Sequence, residues 1–393
     1  MRHLLFFSFI LSTSNCVSQT NTDVYLFNIN TVDGVSEPLE NLYVSNNEGY
    51  DNQPSFYDDN HIVFVSTRNN QTDIAIYNIA EKQLKFINDT PNGGEYSPQR
   101  IPNSKDISAV RLDNDGKQRL YRYDFETGKS SELIKDLVVA YYTWYDENII
   151  VSAVIEDNNL NLYVSNLKTK TNTKYAENVG RSFHKIPNSN LMSFISKAEE
   201  KWAINSINPS NGDITPIMST LGNAEDMCWL AGGHILIPRK NIIYKFTPKT
   251  NEAPSILANF EDNGLQNISR LSTSKNGTML SVVSDESPET IVQKQLDAYN
   301  ARDIDAFMAT YTEDIKLYNF PNELRSEGQV PMRNRYESFF DNSPDLRCEI
   351  QKRIVIGNKV IDHELVTANG NSFKAVAIYE VENGLISKVT FIR

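Results

Sequence analysis

Residues 54–68 read PSFYDDNHIVFVSTR, and residues 72–79 read TDIAIYNI. An aromatic start, a tight turn, an apolar strand and a second, alternating strand make one hairpin-based unit. The unit recurs. Its first half returns as PQRIPNSKDISAVRLD from 98, TWYDENIIVSAVIE from 143, FHKIPNSNLMSFISK from 183, MCWLAGGHILIPRK from 227 and RLSTSKNGTMLSVVSD from 270. Its second half appears as TDVYLFNI from 22, QRLYRYDF from 118, LNLYVSNL from 160, KWAINSIN from 201 and NIIYKFTP from 241. Each half occurs six times, but the array opens with a second half and closes with a first half.

That offset has a physical reading. If strands from the two ends of the array complete one shared sheet, the repeats close into a ring and leave no sheet edge free to pair with another chain. Spacing of roughly 40–50 residues suits a four-stranded blade and excludes shorter solenoid repeats. The pattern P-x-F-x-x-x-x-x-I-x-F-x-S, clearest in PSFYDDNHIVFVS, resembles the TolB-like, WD40-like (PD40) β-propeller repeats of exported bacterial proteins. The turn written Pro-Asp-Gly in such repeats appears here as Asp58-Asp59-Asn60, Asn103-Ser104-Lys105 and Lys275-Asn276-Gly277. The resemblance implies an all-β, six-bladed β-propeller over residues 19–285, acting as a scaffold that recognises a protein or cell-envelope partner.

Composition narrows the classes further. The chain has 393 residues, 40% of them hydrophobic, enough for two or three cored domains. A net charge of −12 offers no electrostatic footprint for nucleic acid. Residues 1–18 (MRHLLFFSFILSTSNCVS) combine Arg2, an apolar run from Leu4 to Leu11 and a stretch of small residues, the pattern of a signal peptide cleaved before Gln19. The run is far shorter than the roughly 20 residues that span a bilayer, so an exported protein, periplasmic or extracellular and without a transmembrane segment, is expected. Acylation of Cys16, giving a lipoprotein, is the less favoured alternative, because Thr13-Ser14-Asn15 match a lipoprotein signal poorly. Cys228 and Cys348 fall in different expected domains, which leaves each without an intradomain disulfide partner and reads as two small buried hydrophobes.

The propeller region gives little sign of chemistry. RLDNDG (Arg111 to Gly116) places an arginine where a calcium loop needs its first acidic ligand, so a hairpin turn is the better reading. His61, His184 and His234 lack acidic or cysteine neighbours in a metal-ligand pattern, and no Gly-x-Ser-x-Gly elbow occurs. No metal and no cofactor is expected.

After Ser284 the period changes from strand to helix. Ser287 caps a helix with Pro288 at its first position and Val292, Leu296 and Tyr299 on one face; a second helix behind Asp303 carries Ile304, Phe307, Met308 and Tyr311. A short strand IKLYNF, a helix PMRNRYESFFDN and four strands joined at Gly357-Asn358, Asn369-Gly370 and Asn383-Gly384 complete an α+β cone over residues 286–393. The segments QLDAYNARDIDAFMATYTEDIKLYNFPN, VIDHE and AVAIYEVENGLISKVTFIR resemble the NTF2-like superfamily, in particular SnoaL-like proteins often labelled steroid Δ-isomerase-like. In ketosteroid isomerases of that superfamily an aspartate abstracts the proton while a tyrosine and a protonated aspartate hold the oxyanion. By this resemblance the base position falls on Asn319, the tyrosine near Gln295 and the second aspartate in or beside Ala375-Val376-Ala377. An amide cannot accept that proton at neutral pH, so isomerase chemistry is not implied.

A ligand pocket lined by Tyr299, Tyr311, Tyr318, Asn319, Tyr336 and His363 is the expectation that remains. Asp362 and Glu364 share one face of their strand and His363 takes the other, so only one set can meet the cavity. The sequence therefore points to a two-domain binding protein whose cone holds a small apolar ligand or pairs with a second copy as a homodimer. The alternative is an isomerase-like or lyase-like enzyme using His363 with Tyr318 or Glu364. Arg333, Arg335 and Arg347 read as solvated ion-pair partners.

Overall fold

A computed structural model describes residues 21–29, 38–45, 49–69, 71–91, 93–248, 250, 252–261, 265–285, 287–382 and 384–392. The leader at 1–18, with Cys16 and its cleavage point, lies outside the described residues.

Among the described residues the repeats form six four-stranded antiparallel sheets. Five are sequential, beginning with Asn52–Asp58, His61–Arg68, Gln71–Asn78 and Gln83–Phe86. The remaining sheet draws on both ends of the array, in the order Pro38–Tyr43, Thr22–Asn28, Met279–Asp285, Gln266–Thr273. Its seam is continuous: Thr22 pairs with Asp285, Tyr25 with Val282 and Asn28 with Met279.

Separate apolar clusters fill the spaces between neighbouring sheets. Ile62 and Phe64 pack on Val24 and Leu26; Val63 and Ile74 pack on Ile107 and Tyr123; Leu120 packs on Trp144 and Ile150. The series continues through Leu162 with Phe194 and Ile204 with Ile235, and returns through Leu236 to Leu280 and Val282. A strand covered on both faces needs a near-continuous apolar run, which is why HIVFVSTR is buried along most of its length. One polar contact repeats with the units: Trp144 Nε1 donates to Ser108 Oγ at 2.8 Å, and Trp229 Nε1 to Ser193 Oγ at 2.9 Å.

The C-terminal unit carries three helices, α1 (Pro288–Ala301), α2 (Ile304–Ala309) and α3 (Gln329–Asp341), against a six-stranded sheet. The sheet order is Glu323–Glu327, Tyr311–Asn319, Leu385–Ile392, Asn371–Glu382, Lys359–Ala368, Arg347–Ile356, with one parallel pair between Tyr311–Asn319 and Leu385–Ile392. Ser287 accepts from Glu289 N to start α1, and Asp303 accepts from Asp305 N and Ala306 N to start α2. At the hairpin tip, Asn369 (φ 52°) and Gly370 (φ 72°) both take positive φ, as a two-residue type I′ turn requires.

Two details differ from the sequence expectation. Tyr311 opens a strand instead of ending a helix, because α2 stops at Ala309 after little more than one turn. Glu323–Glu327 adds an edge strand that its exposed, mostly polar sequence ELRSE does not announce. Val292, Phe307, Met332 and Phe340 from the helices meet Ile315, Leu317, Val360, Ala377 and Val389 from the sheet in one core.

Candidate ligand-binding cavity

Between α1, α3 and the concave face of the C-terminal sheet lies a cavity of about 510 Å³. Leu296, Phe339, Val366, Ala375 and Phe391 supply apolar wall, while Arg325 and Arg335 also border it. Tyr299, Tyr311 and Tyr336, three of the residues named from the sequence, border it. They belong to an aromatic cluster around Phe307, whose ring centroid lies 4.7 Å from Tyr336, 5.1 Å from Tyr311 and 6.0 Å from Tyr299. Offset and edge-on contacts at these separations hold the rings in fixed orientations.

The polar centre of the cavity is Glu364, whose side chain belongs to a residue only 7% exposed. Tyr379 Oη donates to Glu364 Oε1 at 3.0 Å, and Tyr379 also lines the cavity. Burial, reinforced by the negative charge of Glu364, raises the Tyr379 phenol well above its ordinary value, so it stays a donor. Tyr311 is raised in the same direction by burial, with Gln295 as a hydrogen-bond partner. Gln295 itself borders the cavity at 6% exposure, in place of the tyrosine that the superfamily resemblance implies there. Cys348 borders the cavity too, and burial keeps its thiol protonated.

Asp362, on the same strand face as Glu364, is committed elsewhere. Arg353 grips it through two hydrogen bonds of 2.7 Å, and Arg353 also reaches Gln293 on α1 at 2.8 Å. This bidentate pair satisfies Asp362 beneath the helix, and the cavity keeps Glu364 as its carboxylate.

Three of the expected residues do not join this lining. His363 alternates away from Asp362 and Glu364 to the opposite face of Lys359–Ala368, so the strand's pleat presents Glu364 to the cavity and not the histidine. Tyr318 likewise faces away from buried Leu317, with Lys388 Nζ 5.3 Å from its ring centroid. Asn319 lies at the strand end in a neighbouring pocket with Phe320, Arg325, Phe391 and Ile392, where its amide is 3.4 Å from Glu323 Oε2. Of the flanking arginines, Arg333 pairs with Asp305 and Arg347 with Glu349, whereas Arg335 borders the cavity. Among the residues not singled out from sequence, Tyr379 had one available signal, its period-two alternation with Ala375 and Ala377.

Residues 292–389 match the model of the SnoaL-like domain. The C-terminal unit is a SnoaL-like domain. Among solved structures, an uncharacterized cystatin-fold protein from Novosphingobium aromaticivorans shares 28% identity over 28% of this chain and 99% of its own, with a TM-score of 0.27. A putative polyketide cyclase from Sinorhizobium meliloti shares 19% identity over 26% of this chain and 93% of its own, with a TM-score of 0.24. The region before the SnoaL-like domain is similar in fold to a putative TolB from Agrobacterium tumefaciens, at 13% identity and a TM-score of 0.53 over 68% of this chain and 98% of that one. The fold of the N-terminal region is thus TolB-like propeller. No curated protein matches the chain.

Proposed function

We propose that this chain is an exported two-domain binding protein: a closed six-bladed propeller over residues 19–285 serves as a recognition scaffold, and residues 286–393 hold a small apolar ligand. The seam between Thr22–Asn28 and Met279–Asp285, with apolar packing on both sides of each sheet, supports the closed ring. The leader-like residues 1–18 support export, and no helix among the described residues is long and apolar enough to cross a membrane.

One observation carries the ligand-binding reading: a cavity of about 510 Å³ with largely apolar walls presents the buried, hydrogen-bonded pair Glu364 and Tyr379. Ligand pockets of about 300–1,000 Å³ with few, fixed polar groups are the usual form of small-molecule sites. The ligand would have an apolar body and one group able to exchange a hydrogen bond with Glu364. Thermal-shift screening of the full chain against steroids, aromatic polyketides and fatty acids tests this, since a ligand that prefers the native state must raise the melting temperature. Ala375→Trp, which fills the cavity, should abolish the shift. A panel without any hit, or a shift untouched by the filled cavity, rejects the reading.

A second reading, an enzyme of the isomerase or lyase kind, draws support from the same carboxylate. Its acid or base would be Glu364 with Tyr379 as the neighbouring donor, not His363 with Tyr318, which lie outside the cavity lining. Turnover of a bound ligand that disappears in Glu364→Gln while binding persists would establish it.

A further inference from the structure

The leading strands of the N-terminal sheets bring a second polar group together. Gln53, Ser97, Tyr141, Arg181, Asp226 and Arg270, one from each repeat, border a small cavity of about 90 Å³. Pairing slips out of register beside these residues: between Asn52 and Ser55, Tyr96 and Gln99, Val139 and Tyr141, Val179 and Phe183, and Gln266 and Arg270. A bulge takes a residue out of the ladder and re-aims its side chain. Repeated from sheet to sheet, it turns the same position of successive units toward one space.

The charges there do not balance. Two guanidinium groups face one carboxylate, and that carboxylate is a poor partner for either. Asp226 Oδ2 already accepts from Leu271 N at 2.8 Å, and Oδ1 stands 3.9 Å from Arg270 Nη1, beyond hydrogen-bonding reach. Arg181 donates through Nη2 to Ser269 O at 3.0 Å, but its buried Nε has no hydrogen-bond partner, the nearest Glu225 oxygen being 3.7 Å away. Glu225 is itself taken by Lys197. Arg270, its side chain 11% exposed, lies with its guanidinium 5.6 Å from the Tyr141 ring centroid. Burial and the nearby charge of Arg270 make Arg181 harder to keep protonated, and burial makes Asp226 harder to ionise. The shortage of negative charge thus lies with Asp226, while the two guanidinium groups stand with little to offset them.

We propose that Arg181 and Arg270 together bind one small oxyanion, a carboxylate or a phosphate, in this cavity. Planar guanidinium donors match the two-oxygen edge of either group, and the cavity admits little more than that group. A larger ligand would place only its terminal anionic group here. The assignment rests on the repeats converging as the proposed ring requires, but is independent of the SnoaL-like cavity and its ligand.

Calorimetric titration of the full chain, in chloride buffer, with sodium phosphate, sodium acetate and a short peptide bearing either a free or an amidated C-terminus tests the site. At least one oxyanion should bind. Arg270→Gln should weaken it about tenfold or more, the loss expected for one charge-assisted hydrogen bond. Asp226→Asn, which keeps an acceptor for Leu271 N while removing the competing charge, should tighten it. Lys168→Gln, at an exposed position, should change nothing. Binding of phosphate alone identifies a phosphoryl group, and binding of the free but not the amidated peptide identifies a terminal carboxylate. No heat with any probe up to about 10 mM, a range that covers even weak single-site affinities, overturns the proposal. So does equal binding by wild type and Asp226→Asn.

Discussion

The pair Glu364 and Tyr379 shows how much one buried hydrogen bond can decide. A carboxylate at 7% exposure needs its donor, and Tyr379 supplies one at 3.0 Å. Tyr379→Phe should therefore lower stability by about 1–3 kcal/mol, seen as a lower urea midpoint at unchanged slope. His184 makes a separate, pH-dependent contribution. Its half-buried ring borders the small cavity between the leading strands with Nε2 3.0 Å from Ser182 Oγ, and loss of solvation pushes its pKa down to about 4. In the unfolded chain the imidazole titrates near 6.5, so between about pH 6.5 and 4 the unfolded state holds a proton that the folded state refuses. The stability this provides is complete above about pH 6.5 and is lost as the pH falls toward 4. His184→Asn should flatten that part of the stability profile measured by urea unfolding at a series of pH values. Whether His363 or Glu364 meets the cavity is undecidable from the strand itself. The outward set, Ile361, His363 and Leu365, is more apolar than the inward set of Val360, Asp362, Glu364 and Val366, and the inward carboxylates are satisfied by Arg353 and Tyr379 on the two flanking strands, which the strand's own residues do not reveal.

At the scale of elements, local signals carried far. The caps at Ser287 and Asp303, the helix faces, and the turn at Asn369-Gly370 were all legible, since each depends on neighbours in sequence. Asp303→Ala removes acceptors for Asp305 N and Ala306 N at 3.1 and 3.0 Å, and for so short a helix should cost about 1 kcal/mol in chemical unfolding. The strand Glu323–Glu327 was not legible. It is held by its pairing with Tyr311–Asn319 and not by an alternating apolar face, so its own residues carry no period to read. Arg181 and Arg270 escaped for a related reason: the pairing of their strands is irregular across Arg181 and just before Arg270, which breaks the alternation that marks the rest of each repeat.

Across the whole molecule the repeat offset was the informative signal, because it constrains both ends of the array at once. The strand Thr22–Asn28 fills the place between Met279–Asp285 and Pro38–Tyr43. Removing residues 21–29 should leave Met279–Asp285 with an open apolar edge, and size-exclusion chromatography should show aggregates in place of a single species. The same pairing bears on how the protein reaches its native state. Synthesis delivers Thr22–Asn28 early and its partner Met279–Asp285 only after the other sheets of the array have emerged. A strand this apolar must therefore travel with the edge that will meet Met279–Asp285 open through translation, and through any export channel, which makes it the natural target of a holding chaperone and the last piece of the array to lock.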